Sequence, residues 1–585
     1  MHAFATSRLR GCWWIVPALA MCAVVARGQV GQTISPADAD QKARATVSPP
    51  MVIEDDAAVL ERERNLGLID VVTYPPLRQD NVGLPQLQHW LVDPHADDTG
   101  PATRDLLEGW NAGGSSQVIP PDCGIAVSPT HVVVTTNAKL KFFDRTGAQT
   151  GSFSWSSFFG GVRPSNTFTS DPKVLYDPDS GRFFVMIVAI RGSDFKTWYL
   201  VAVSDDANPS GTWAKYALDS TLNGQNSTNN WSDYPGFGVD SQTVLITANM
   251  FSRTTGAYRY VKIRILNKQE LINFAATLTW TDIWNVTDPD GGVAFTIQPA
   301  QHYGANPFTF LADTNPSSKV TVFGIQDPLG SATLFKKSRN VGNYNQPPAA
   351  EQPGGSPRLD TIDNRTYNAV WRNNSIYFAH TVGASSQAAI QWYEVDTTDF
   401  PNSATLVQNG SIADPAANHF FPTIAVNASG TVAIGFCRSS TSEFASIYYA
   451  AHMPADPAGQ VGPLTLIHAG TVHYSGEGGS VVRWGDYSGT VVDPDDQTFW
   501  HFNEYPNPNN NGAGWRVWVQ HFSVGAPPCP GDFNSDGVVD IGDLSILLGN
   551  FGGAGGPADG DMDGDGDVDL TDLASLLAVF GTPCP

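Results

Sequence analysis

At 585 residues the chain exceeds what one compact core accommodates, so more than one folded unit is expected. Its formal charge of −24 is concentrated at one end: the segment from Cys529 to Pro585 holds eleven Asp and no Lys, Arg or Glu. That balance disfavours nucleic acid and anionic membrane as partners and invites divalent cations.

The first 28 residues read as a secretory signal peptide. Arg8 and Arg10 precede the apolar run Trp13–Val25, and the small residues Ala26 and Gly28 offer a cleavage site before Gln29. The run is too short to span a bilayer unaided, and Met21 sits where a small residue is wanted before a lipidated Cys22. The expectation is a secreted or cell-surface protein with no membrane span in its mature chain. Cys123, Cys437, Cys529 and Cys584 then remain, an even number suited to an oxidising compartment. Cys529 and Cys584 bracket the Asp-rich segment, and their pairing would add about 4 kcal/mol of stability on the loop-entropy estimate. Cys123 and Cys437 are far apart in sequence and are left unpaired at this level.

Residues 29–117 are polar and Pro-containing, with one short helical stretch at Asp55–Leu66, and read as a low-order linker. From 118 to 524 the texture changes. Short runs rich in Val, Ile, Phe, Tyr and Trp, such as His131–Thr136, Phe183–Ala189 and Thr243–Ala248, alternate with Gly, Pro, Asn and Asp clusters. This is an all-β pattern. Units of about 50 to 60 residues recur, which points to radial repetition. They open at Asp122, Asp171, Asp233, His302, Arg358, Phe421 and Trp484. Seven starts predict a mainly β chain with a β-propeller of about seven blades; a pair of β-sandwiches is the alternative.

The stretch Ser204-Asp-Asp-Ala-Asn-Pro-Ser-Gly-Thr-Trp213 resembles a degenerate Asp box, the turn motif of sialidase-like propellers. In that family the motif ties a blade hairpin together and does no chemistry. A sialidase also needs an Arg cluster, a Tyr nucleophile activated by Glu, and an Asp acid/base. Arg163, Arg182, Arg358, Arg365, Arg438 and Arg483 are present, but no Arg-Ile-Pro motif marks the first of a triad. Blade-entry residues gather near a propeller's axis, so Asp171, Asp233, Tyr234, His302, Tyr303, Arg483, Asp486 and Tyr487 are placed on one face. Of these, Asp233, Tyr234, Arg483 and Asp486 are the candidate ligand-binding set. Capping and packing of the strands is the competing role for the same residues, and the Trp residues are expected in the blade core.

Residues 529–585 carry the sharpest pattern. Asp532, Asn534, Asp536, Asp540 and Asp543 fall at positions 1, 3, 5, 9 and 12 of a loop, with Gly537 at 6 and the Val538 carbonyl at 7. Asp561, Asp563, Asp565, Asp567, Asp569 and Asp572 repeat it, with Gly566 at position 6. Calcium is a hard ion wanting 6 to 8 oxygens, and this spacing converges them on one centre, so two ions are expected. Each loop feeds one apolar helical stretch, Leu544–Phe551 and Leu573–Phe580. Lacking an entering helix and ending in Asp, the doubled unit resembles the dockerin type I domain. That resemblance implies a cohesin-like or cell-surface scaffold partner and work on polysaccharide. The residues at positions 10 and 11, Ile541-Gly542 and Leu570-Thr571, supply only Thr571 of the Ser/Thr pattern by which such domains contact cohesins. Two functions follow: an anchored extracellular binding protein, or a sialidase-like glycoside hydrolase delivered by the same tail.

Overall fold

The computed structural model describes residues 29–30, 43–48, 106–115, 117–314, 318–524, 530–534, 538–556, 559–563 and 566–581. The expected signal peptide, the helical stretch at Asp55–Leu66, and Cys529 and Cys584 lie outside these residues.

Between 106 and 524 the chain forms seven four-stranded antiparallel sheets. Their first strands are Gly124–Val127, Phe168–Asp177, Asn230–Val239, Gln298–Tyr303, Thr366–Arg372, Asn418–Val426 and Gly489–Val492. Each packs against the next, and the seventh returns to the first, so the sheets close into a ring of seven blades. Between blades four and five the two inner strands also pair in parallel, Ala300 opposite Ala369. Such packing buries both faces of every blade, which is why the strands read as continuous apolar runs without alternation. In Arg182–Arg191 every residue from Phe183 to Ile190 is buried, and in Thr243–Ser252 all ten are.

The ring is sealed by a strand that lies N-terminal of the boundary expected at 118. Leu106–Ser115 pairs antiparallel with Trp515–Phe522 as the outermost strand of blade seven, whose other three strands come from the far end of the propeller. Two pieces of the same expected linker also take strand form. Gln29–Val30 adds to the edge of blade three and Ala43–Ser48 to the edge of blade two. Composition hid these strands because their pairing partners are at least 165 residues away. The Asp-box stretch is a blade-two hairpin tie, as expected. Asp205 Oδ1 accepts the Thr212 N–H at 2.9 Å, and the Trp213 indole donates to the Pro209 carbonyl at 2.8 Å.

Three blades enter the ring through the same irregularity. Asp171, Tyr234 and Phe421 stand at φ 61°, 47° and 53°, each immediately before a proline. At each, the pairing register breaks, between Ser170 and Lys173, Asp233 and Gly236, and Phe420 and Thr423. Proline has no N–H to give a ladder, so it sits in the bulge, and the residue before it adopts the left-handed region that the bulge requires, at a cost of about 1–3 kcal/mol.

C-terminal to the ring lie the helices Ile541–Asn550 and Leu570–Val579. Both begin three residues earlier than the apolar pattern suggested, because Asp540 and Asp569 are the caps. Each forms a reciprocal capping box with the Asp three residues on. Val539, Leu547, Val568 and Leu576 are the buried centre of this small unit.

Candidate functional site

The blade-entry residues do converge, and they largely fill the space they were expected to line. Tyr234 of blade three and Tyr487 at the start of blade seven stack with ring centroids 4.5 Å apart. The Tyr234 hydroxyl donates to the Asp486 carbonyl at 3.0 Å, and the Tyr487 hydroxyl donates to Asp171 Oδ2 at 3.3 Å. Cations cover both outer faces: the Arg365 guanidinium lies 4.1 Å from the Tyr234 ring centre, and Lys173 Nζ lies 3.1 Å from that of Tyr487. The pillar Arg365–Tyr234–Tyr487–Lys173 therefore joins blades five, three, seven and two over the axis.

Beside it runs a channel whose interior offers about 90 Å³ to water-sized groups. Lys173, Gln298, Gln301, Asn368, Thr423, Ser488 and Thr490 give it a polar wall, alternating with Val174, Phe237, Ala369 and Val491. A second opening, lined by Tyr176, Tyr303, Asp493 and Asp496, shares Gln301 and Tyr303 with the channel. There Arg372 of blade five pairs with Asp496 of blade seven.

The mouth is acidic. Asp122 Oδ1 accepts the Asp486 N–H at 3.1 Å and Oδ2 accepts the Asn137 amide at 2.7 Å. Burial, with Asp486 and Asp171 nearby, pushes the Asp122 carboxyl well above the usual carboxylate range. Burial raises Asp171 as well. Glu504 is buried with one oxygen accepting from the Gly485 N–H and the other without a partner among the described residues, and burial again drives its carboxyl well up.

Of the four candidate ligand residues, Tyr234, Arg483 and Asp486 are structural partners of one another or of their neighbours. Arg483 pairs with Asp486, and Tyr234 is locked in the pillar. Asp233 differs: among the described residues its half-buried carboxylate has no hydrogen-bond partner, and burial together with Asp171 pushes it up to about 7. His302, expected on this face, instead packs in a cluster with Phe310 and Trp371, its Nε2 accepting the Phe310 N–H at 3.0 Å. Lys173 and Asp122 were not singled out from sequence as site residues. The available signal was a lysine immediately after Asp171-Pro172 at the head of the apolar run Val174–Tyr176.

The arginines do not assemble a triad for a substrate carboxylate. Arg365 is held bidentate by Asp363 at 2.7 and 2.6 Å, Arg358 pairs with Glu351, Arg438 with Glu443 and Asp414, and Arg182 donates to the Ser204 carbonyl. Trp484, Trp500 and Trp515 are buried in the blades, as expected of core residues.

The acidic loops are built alike. Asp543 Oδ1 accepts the N–H groups of Phe533 and Asn534, and Oδ2 accepts that of Asp540. Asp572 repeats this with Met562, Asp563 and Asp569. Burial opposes ionisation of Asp572, but those backbone donors outweigh it and hold its carboxyl below the usual range. Oxygens of Asp561, Asp563 and Asp572 lie within 4.8 Å of one another. Ligands 2.3–2.6 Å from one calcium must be about that close, so this donor set fits the ion. Asp536 and Asp565 fall outside the described residues.

No family model matches the chain, and no curated protein sequence does. Among solved structures it is similar to the phage phi92 endosialidase, with 8% identity over 73% of this chain and 70% of that one and a TM-score of 0.35. It is also similar to the Penicillium chrysogenum alpha-L-arabinanase complexed with arabinobiose, with 10% identity, 72% and 98% coverage and a TM-score of 0.34. The Trypanosoma rangeli sialidase gives 10% identity, 68% and 59% coverage and a TM-score of 0.32. Likeness at this level assigns no residue a role, and the propeller rests on the strand order described above. Among the described residues no helix is long and apolar enough to cross a membrane.

Proposed function

We propose that this chain is an extracellular binding protein whose C-terminal unit is a two-calcium docking module of the dockerin type I kind. The observation that carries the reading is the identical seating of Asp543 and Asp572, each at position 12 of an all-oxygen loop and each closing a capping box. Asp532, Asn534, Asp536, the Val538 carbonyl, Asp540 and Asp543 would hold one ion. Asp561, Asp563, Asp565, Asp567, Asp569 and Asp572 would hold the other. Bound calcium would neutralise carboxylates that face no basic side chain in the segment and add its binding energy to the folded state. Ile541 and Leu570 occupy equivalent places at the two helix starts and are 66% and 71% exposed. Such a matched apolar pair supports docking to a scaffold protein, with the propeller free to engage polysaccharide. Titration of the full-length protein with calcium should give two ions per chain; a stoichiometry of zero ends this reading.

The hydrolase reading has one observation in its favour, the unpartnered Asp233 carboxyl poised near neutrality at the channel mouth. Hydrolysis of any member of a glycoside panel that is lost in Asp233→Asn would support it. Activity unaffected by that change would remove Asp233 from the chemistry.

A further inference from the structure

We propose that a row of aromatic rings across the mouth face of blades two to four is the platform on which the propeller binds an uncharged, β-linked polysaccharide. The proposal deepens the binding reading above, on which its ligand class rests, and is independent of the calcium loops.

The rings come from separate elements and meet in one line. Phe195, at the tip of a blade-two hairpin, lies 5.9 Å from Trp231 at the start of blade three, centroid to centroid. Trp231 lies 5.5 Å from Phe251, Phe251 5.6 Å from Tyr258, and Tyr258 5.2 Å from Phe295 in the loop leading to blade four. Phe251 is buried behind the others, while Phe195 is 42% exposed and Trp231, Tyr258 and Phe295 are half-buried. The row ends at the axis, where the Arg365 guanidinium lies 5.3 Å from the Phe295 ring centre and continues into the pillar. Trp231 precedes Asp233 by two residues in regular register, which puts both on one side of the strand.

Local stability does not account for Phe195. It stands at φ 54°, in the left-handed region where a bulky side chain is strained and Gly or Asn is not. The conformation is enforced. The Phe195 N–H donates to the Arg191 carbonyl at 2.8 Å, and the neighbouring Asp194 carboxylate is gripped by Arg191 at 2.8 and 2.6 Å and by Arg253 of blade three at 3.0 Å. An exposed ring held on a strained backbone by charged clamps is preorganised for contact.

The surroundings of the row set the ligand chemistry. Neither the segment Asn223–Trp231 nor Thr254–Ala257 beside it contains a charged residue. Asn226, Ser227, Asn229 and Thr254 are exposed there, and the Asn229 amide donates to Thr254 Oγ1 at 2.6 Å, joining the two segments. The nearby cations are committed elsewhere, Arg191 and Arg253 to Asp194 and Lys196 to Asp219. Flat apolar rings fit the C–H face of a pyranose whose hydroxyls are equatorial, and an amide and hydroxyl rim fits those hydroxyls without requiring a charge. A β-linked glucan or xylan offers that face on every sugar.

The test is affinity electrophoresis of the full-length protein, with calcium present, in gels containing soluble β-glucan, xylan or polygalacturonate. The wild-type chain should be retarded by a neutral polymer and not by polygalacturonate. Phe195→Asn and Trp231→Ala should each weaken that retardation about tenfold, the loss expected of an aromatic anchor. Val407→Asn, a comparably exposed apolar change on blade five, should leave it unchanged. Phe195→Asn should also keep or raise the melting temperature, because it relieves the backbone, and its loss of binding is then not unfolding. A lowered melting temperature would show that Phe195 serves the hairpin, and would overturn the proposal. Retardation that persists in both aromatic variants would overturn the site and leave the polysaccharide reading standing. Retardation by polygalacturonate alone would overturn the ligand class, and retardation by no polymer would remove polysaccharide from the function as well.

Discussion

Tyr234 and Tyr487 stack 4.5 Å apart over the propeller axis, although the Tyr234 hydroxyl reaches a carbonyl 252 residues further along the chain. The pair ties blade three to blade seven and, through Lys173 and Arg365, to blades two and five. It makes the mouth a clasp. Removing the Tyr487 hydroxyl with Tyr487→Phe should cost about 1 kcal/mol, the net worth of one hydrogen bond. Tyr234→Ala should cost roughly 3–5 kcal/mol, as for other buried aromatic truncations. Urea denaturation of both variants checks this, and wild-type stability in Tyr234→Ala would show that the clasp does not hold the blades.

Blade three contains a fully buried ion pair, Arg264 Nε to Asp282 Oδ1 at 2.8 Å, both side chains 0% exposed. Arg264 also donates to the Asp219 and Leu222 carbonyls, holding the loop between blades two and three. Breaking such a pair from one side strands a charge in low dielectric, so Asp282→Ala should destabilise the protein by roughly 3–5 kcal/mol. Replacing both partners with apolar residues of similar volume should cost less. Equal losses from Asp282→Ala and the double replacement would contradict this account.

Asp233 should leave a signature in the pH dependence of stability. Its carboxyl is raised by burial and by Asp171 to about 7 in the folded state, against about 3.9 for an unperturbed Asp in the unfolded chain. The folded state therefore binds the proton more tightly, so this group's contribution is full below about pH 4 and is lost as pH rises through about 7. Asp233→Asn should flatten the fall in melting temperature across that window. An unchanged slope would mean that Asp233 ionises as a solvated carboxylate.

The two loops should lose calcium one at a time. Asp532→Ala should leave one ion and Asp561→Ala should leave the other, each read by calorimetric titration of the full chain. Loss of both ions from either change would show that the loops bind as one cooperative unit.

What the sequence determined by itself is local. Runs such as Phe183–Ala189 can only be buried strands, seven recurring openings count the blades, and the spacing of Asp532 to Asp543 sets a loop whose geometry depends on neighbours within twelve residues. Position 12 was legible for that reason, and so was the repeat at Asp572. The tertiary structure alone decided the rest. Leu106–Ser115 reads as linker because its strand partner is Trp515–Phe522, some four hundred residues on. Arg483 meets its partner Asp486 only three residues along the chain, but nothing in the neighbourhood of Tyr234 says whether it lines a pocket or fills it. For Tyr234 that outcome depends on contacts with Asp486, Tyr487 and Arg365, which only ring closure brings within reach. Lys173 shows the same division: its place in a strand was readable, while its position in the channel wall against the Tyr487 ring exists only because blades two and seven meet there.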